Sequence, residues 1–174
     1  MKLFVMLVAS AVLAATPSAR GEDAAPLSIV QALMDAERAS DLDRALSLLA
    51  DDAVIVNAAG ATTAGAENLR RFFADDMRFN DSFELEQPVV DHNQVSWTKS
   101  VSAEFYRKLG VAPVRFAFTA IVDQGKIELI AAHVPPDEIA RIEAGCRRAV
   151  EPTIYGRPCS AHIAYLRHES DAVY

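Results

Sequence analysis

Apolar residues recur along this chain with two different periods. Between Leu27 and Ala39, Ile29, Val30, Leu33 and Met34 stand at helical spacing, and Glu37 continues their stripe one turn further. A second helix is predicted over Leu42–Leu49, with Ser40 or Asp41 as its cap and Asp51-Asp52 beyond its end. Short strands follow at Ala53–Asn57 and about Gly60–Thr63, then a third helix over Glu67–Asp75 that turns Leu69, Phe72 and Phe73 inward. From Phe83 onward the period becomes two. Phe83–Val90 reads as a strand, Asp91-His92-Asn93-Gln94 as a turn, and Val95–Arg107 as the return strand.

Val111 to Pro136 reads as one β-hairpin about Asp123-Gln124-Gly125-Lys126, where Gly125 can supply a positive φ. A turn at Gln124-Gly125 pairs Val122 with Ile127, Ala120 with Leu129, Phe118 with Ala131 and Phe116 with His133, all on one face. The other face then carries Arg115, Ala117, Thr119, Ile121, Glu128, Ile130, Ala132 and Val134. A last helix is predicted from Asp137 to about Arg148, with Asp137 and Glu138 in its dipole-favoured first turn. The tail over residues 151–174 has no clean periodicity. Helices followed by longer antiparallel strands give an α+β order. The expected fold is a cone-shaped, curved antiparallel sheet packed on N-terminal helices, with a C-terminal helix and tail added.

The first residues belong to another category. Lys2, the apolar run Leu3–Ala15, Pro17 and the small residues of Ala19-Arg20-Gly21 form a signal-peptide pattern over residues 1–21. Cleavage after Gly21 is expected, with Ala19 and Ala14 as alternatives. A run of about 13 apolar residues is short against the roughly 20 that span a bilayer, so a secreted or periplasmic protein without a membrane span is expected. The rest divides into one domain over residues 22–150, with its core at 28–134, and the tail.

Charge narrows the partners. The chain has 17 Lys+Arg against 24 Asp+Glu, and the charged residues lost with the leader, Lys2 and Arg20, are both basic, which argues against nucleic acid or an anionic membrane. Cys146 and Cys159 both follow the leader; in an oxidising compartment a disulfide is expected, the alternative being two free thiols. Cys146, Cys159, His162 and His168 do not match a zinc spacing, and neither a metal nor a cofactor is expected.

Leu48-Leu49-Ala50-Asp51-Asp52-Ala53-Val54, Gly60, and Gly65-Ala66-Glu67-Asn68-Leu69-Arg70-Arg71-Phe72-Phe73 resemble the opening half of the nuclear transport factor 2-like superfamily. Val122-Asp123-Gln124-Gly125-Lys126-Ile127 resembles the closing hairpin of its polyketide-cyclase-like (SnoaL-like) and ketosteroid-isomerase-like members. The resemblance spans roughly residues 28 to 134. It implies the cone-shaped fold and dimerisation through the sheet, but no single chemistry. Isomerase members carry a tyrosine donor, an aspartate base and a protonated aspartic acid. Matching the residues puts Glu37, Asn57 and Phe118 at those positions. Asparagine cannot abstract a proton and phenylalanine cannot donate a hydrogen bond, so isomerisation by that route is not expected.

Glu37 is the leading acid/base candidate, because a carboxyl held against Leu and Met side chains would have a raised pKa. The alternative is a solvated glutamate near a helix end. Asn57 reads as a polar handle at a pocket mouth or as a turn residue. His133, opposite Phe116 in the expected register, reads as a base or ligand-binding imidazole, or as a histidine at the sheet edge. Trp97, Phe116 and Phe118 read as core that also lines a pocket. Tyr106 and Arg115 fall on the outward face. Two functions follow. One is an exported protein binding a small apolar or amphipathic ligand, with possible acid/base chemistry at Glu37 and His133. The other is a non-catalytic module contacting another exported protein. A homodimer through the outer face, over Ala117, Thr119, Ile121, Ile130 and Ala132, is expected with either.

Overall fold

The first helix keeps its predicted stripe with a carboxylate in it. α1 (Pro26–Arg38) buries Val30, Leu33, Met34 and Ala36, and Glu37 with them. The structure, a computed structural model, describes residues 26–79, 82–149, 153–154 and 157–167. The expected leader and His168 lie outside the described residues. α2 (Leu42–Ser47) is capped by Asp41, whose carboxylate accepts from the Arg44 N–H at 3.0 Å. β1 (Leu49–Val56) and β2 (Thr62–Ala64) are joined by a turn built on Asn57, whose Oδ1 accepts from the N–H groups of Ala59 and Ala61, both at 3.0 Å. α3 (Ala66–Phe79) runs further than its apolar pattern predicts.

β3 (Phe83–Asp91) and β4 (Gln94–Val101) are linked through His92 and Asn93. β4 stops before the predicted end at Arg107. The chain turns instead into α4 (Glu104–Lys108), where Glu104 and Lys108 form an i,i+4 ion pair at 2.6 Å and the charges match the helix dipole. β5 (Val114–Asp123) and β6 (Lys126–His133) form the hairpin about Gln124 and Gly125, both at positive φ. After it come α5 (Pro136–Arg148), β7 (Thr153–Ile154), β8 (Arg157–Pro158) and α6 (Cys159–Leu166).

The strands form a six-stranded sheet in the order β2-β1-β6-β5-β4-β3, with β1 and β6 parallel and the other neighbours antiparallel. The sheet is curved and unclosed, as expected of the α+β cone. Its register departs from simple alternation at one place. Val122 pairs with Ile127, as expected, but Ile121 pairs with Leu129, so Glu128 is an extra residue and the strand bulges. Beyond the bulge every side chain of β6 changes face. Ile130 and Ala132 therefore join Ala120 and Phe118 on the concave side, while Leu129, Ala131 and His133 turn to the convex side. His133 is exposed, and the placement of Ile130 and Ala132 on an outer dimer face is corrected with it.

Two apolar clusters fill the interior. One lies between α1–α3 and the sheet and includes Leu33, Ile55, Phe73, Trp97 and Ile127. The second gathers Val101, Tyr106, Val114, Ile142, Ile154 and Leu166, so what is described of the tail is part of the body. α5 lies close against the segment between α4 and β5. A Cβ on Gly145 would stand 2.8 Å from Val111 Cγ1 and 3.1 Å from the Leu109 carbonyl, which leaves room only for glycine. The neighbouring Cys146 is bridged to Cys159 with the Cα atoms 5.9 Å apart, tying α5 to the start of α6. A crosslink closing so short a loop contributes about 3 kcal/mol through the unfolded state.

Candidate functional site

β4 turns four alternate residues toward the concave side: Val95, Trp97, Lys99 and Val101, all buried. Three are ordinary core residues. Lys99 is a buried cation and dictates what surrounds it, because an unpaired ammonium out of water is costly. Its Nζ donates to Glu37 Oε2 at 2.7 Å and to Asp76 Oδ2 at 3.1 Å, and lies 4.2 Å from the centroid of the Phe83 ring. α1, α3, β3 and β4 thus meet at one nitrogen.

The cluster holds two carboxylates on one ammonium. Burial raises the Glu37 pKa above its ordinary 4.5, opposed by the pull of Lys99 and reinforced by the charge of Asp76. Burial also pulls Lys99 down, but Asp76 and Glu37 outweigh it and hold Lys99 above its ordinary 10.5. The two upward shifts are compatible in one arrangement: Lys99 stays protonated, and burial makes Glu37 easier to protonate than a carboxyl in water. Schiff-base chemistry at Lys99 is disfavoured for the same reason, since it needs a free amine.

This cluster lies in the wall of a cavity of about 680 Å³ set between the two apolar clusters. The exposed lining residues Thr62, Asn68, Arg71 and Asp75 belong to β2 and α3, which places the mouth there. Deeper in, Trp97 and Phe118 stack with centroids 5.3 Å apart and ring planes 12° from parallel, and Phe116 and Ile130 continue the wall. Trp97 is 4% exposed, and its Nε1 has no hydrogen-bond partner among the described residues. A buried donor in that state carries a desolvation cost of about 1–3 kcal/mol.

Of the residues singled out in the sequence, Glu37, Asn57, Trp97, Phe116 and Phe118 all line this cavity. Asn57 is the expected turn residue, with Oδ1 held by the Ala59 and Ala61 N–H groups, and it also lines the cavity. His133 is not brought to the cavity, because the bulge carries it to the convex face. Tyr106, expected to point outward on a strand, is 1% exposed and lines the cavity because it belongs to α4. Arg115 does face outward, donating through Nε to Glu138 at 2.7 Å and through NH2 to Asp137 at 3.1 Å. Among the described residues no group of three or more His, Cys, Asp or Glu is arranged to hold a metal.

The cone, the hairpin and the walled cavity bear on relationship. A family model described as the SnoaL-like domain matches residues 30–137. The chain belongs to the SnoaL-like domain family. Solved structures agree on the fold. A Kribbella flavida protein is 18% identical with a TM-score of 0.58, the match covering 72% of this chain and 98% of that one. A putative polyketide cyclase from Sinorhizobium meliloti is 22% identical with a TM-score of 0.54, covering 61% and 94%. A putative ketosteroid isomerase from Kribbella flavida is 12% identical with a TM-score of 0.54, covering 63% and 77%. The SnoaL-like match stops at residue 137, so all of α5 after its first two residues, α6 and the disulfide lie beyond it.

Proposed function

We propose that this SnoaL-like protein is exported, binds a small apolar or amphipathic molecule in the cavity, and uses Glu37 for proton transfer where the bound molecule reacts. The observation that carries this is the buried Glu37–Lys99–Asp76 cluster in the cavity wall beside Leu33, Met34, Phe73 and Phe118. Three charged groups held together at a cavity wall are placed to orient a polar atom of a ligand, which supports this reading. The apolar body of the ligand would lie along Trp97, Phe116 and Phe118, and an acceptor on it would satisfy the Trp97 N–H. The leader pattern and the disulfide support export.

Glu37→Gln is the test. Glutamine keeps an acceptor for Lys99 and removes the proton site. The variant is expected to fold as the parent does and to change the affinity for whatever native mass spectrometry finds bound to protein from its own compartment. In the parent, carbon-detected NMR is expected to show the Glu37 carboxyl titrating above 4.5. A titration at the ordinary value would remove Glu37 from the site.

The alternative, a non-catalytic interaction module, called for aromatic residues filling the cavity and a broad apolar surface. The cavity is open, and among the described residues the exposed large hydrophobic ones are Val89 and Val90, neighbours on β3. We further propose a homodimer through the convex face, which presents Ala117, Thr119, Ile121, Leu129 and Ala131, each half-buried. Sedimentation velocity at micromolar concentration is expected to give a dimer; a monomer there ends this reading.

A further inference from the structure

We infer that α6 is the specificity element of the cavity: Tyr165 and Leu166 close it on the side of the second cluster and set the longest molecule it admits, and the Cys146–Cys159 bridge holds them there. This rests on the reading of the cavity as a binding site.

α6 has eight residues, and Cys159, His162, Ile163, Tyr165 and Leu166 are all buried. A helix of that length does not hold itself in water. Its position must come from contacts with the body and from its tether, and the tether is the disulfide at its first residue. Three of its side chains, His162, Tyr165 and Leu166, line the cavity. They continue the aromatic wall of the SnoaL-like core. Ring centroids are 6.5 Å apart from Phe118 to Phe116, 6.5 Å from Phe116 to Tyr106, 6.5 Å from Tyr106 to His162 and 6.4 Å from His162 to Tyr165.

A ligand lying along Trp97 and Phe118 therefore meets α6 as it lengthens. The charged cluster belongs to the matched region and the closing wall does not. The head of a ligand is thus read by the core of the fold, and its length by an added segment. That segment can vary without disturbing the proton-transfer group.

The test uses primary n-alkanols from hexanol to dodecanol, titrated calorimetrically into the full-length oxidised protein. Affinity is expected to rise about fourfold per methylene until the wall is met, and then to stop rising. Leu166→Ala should move that limit up by about three carbons, the number of side-chain carbons it removes. Leu166→Trp should move it down. Opposite shifts cannot come from general loosening, so a misfolded variant cannot imitate the result. Reducing the parent with a phosphine should blur the limit while hexanol still binds. An unchanged limit in both Leu166 variants, with alkanols binding, overturns the role of α6 and leaves the cavity reading intact. A limit that moves in the variants but survives reduction overturns the role of the bridge. Failure of every alkanol to bind any of the proteins overturns the cavity reading, and this inference with it.

Discussion

Lys99→Met is expected to destabilise the protein by about 3–5 kcal/mol near neutral pH, because it leaves a buried charge without its partner. Methionine fits the space of the stem, so lost packing is a small part of the effect. The larger part is the pair Glu37 and Asp76, drawn to one point by an ammonium that is no longer there. Glu37, whose pKa burial already raises above 4.5, can respond by holding a proton. A carboxyl with a raised folded-state pKa contributes stability below the unfolded value and loses it as pH rises through the folded value. The deficit of the variant relative to the parent should therefore shrink as pH falls from 7 toward 4.5. Adding Glu37→Gln should recover part of the loss, since it removes one of the stranded charges. Urea unfolding of the parent, both single variants and the double variant measures all of this. A deficit under about 1 kcal/mol that does not change with pH would mean the cluster is solvated and has no special standing.

Acid should loosen the protein through His162. Burial holds its pKa down at about 4, from an ordinary 6.5, so the folded protein keeps this imidazole neutral beside Tyr106 and Tyr165. The unfolded chain binds a proton there at a pH where the folded chain does not. The resulting stability is present in full above 6.5 and is lost as pH falls toward 4, to a total of about 3 kcal/mol. Glu37 works in the opposite sense over part of this range, so the comparison must be with a variant at the same position. His162→Gln, which keeps hydrogen-bonding groups and cannot become cationic, should flatten the difference between pH 6.5 and 4. Parallel stability curves for parent and variant would show that His162 is reached by water.

The fold was legible because period and turn chemistry agreed in most segments. The stripe of α1 named Glu37, and the aromatic residues of β4 and β5 named the wall. Lys99 was missed although its position gave it away: it stands two residues from Trp97 and two from Val101 on a strand already assigned. A charge at an inward position is read by habit as the end of a buried face, and only its partners 62 and 23 residues away make it tolerable. Tyr106 was missed because alternation was carried past Val101. The ion pair of α4 and its apolar residues Phe105 and Tyr106, with Leu109 as the cap, mark a helix, but only once the strand is allowed to end. α6 offered no signal of either period, since a helix apolar on nearly every side has no stripe to read. The cysteine pair was the one sign in the sequence that the tail had a fixed place.

The extra residue at Glu128 acts as a change of phase. Upstream and downstream of it, β6 obeys the same alternation, offset by half a wavelength. Without the offset the strand would turn Leu129, Ala131 and His133 toward the cavity and Ile130 and Ala132 away. Whether the imidazole of His133 stands in the cavity beside that of His162 is thus decided by the length of a hairpin arm and by no change in any residue that lines it. In a cone built this way, insertions and deletions of single residues near the turn are chemical mutations. They exchange one complete set of side chains for another while backbone, curvature and cavity stay nearly as they were.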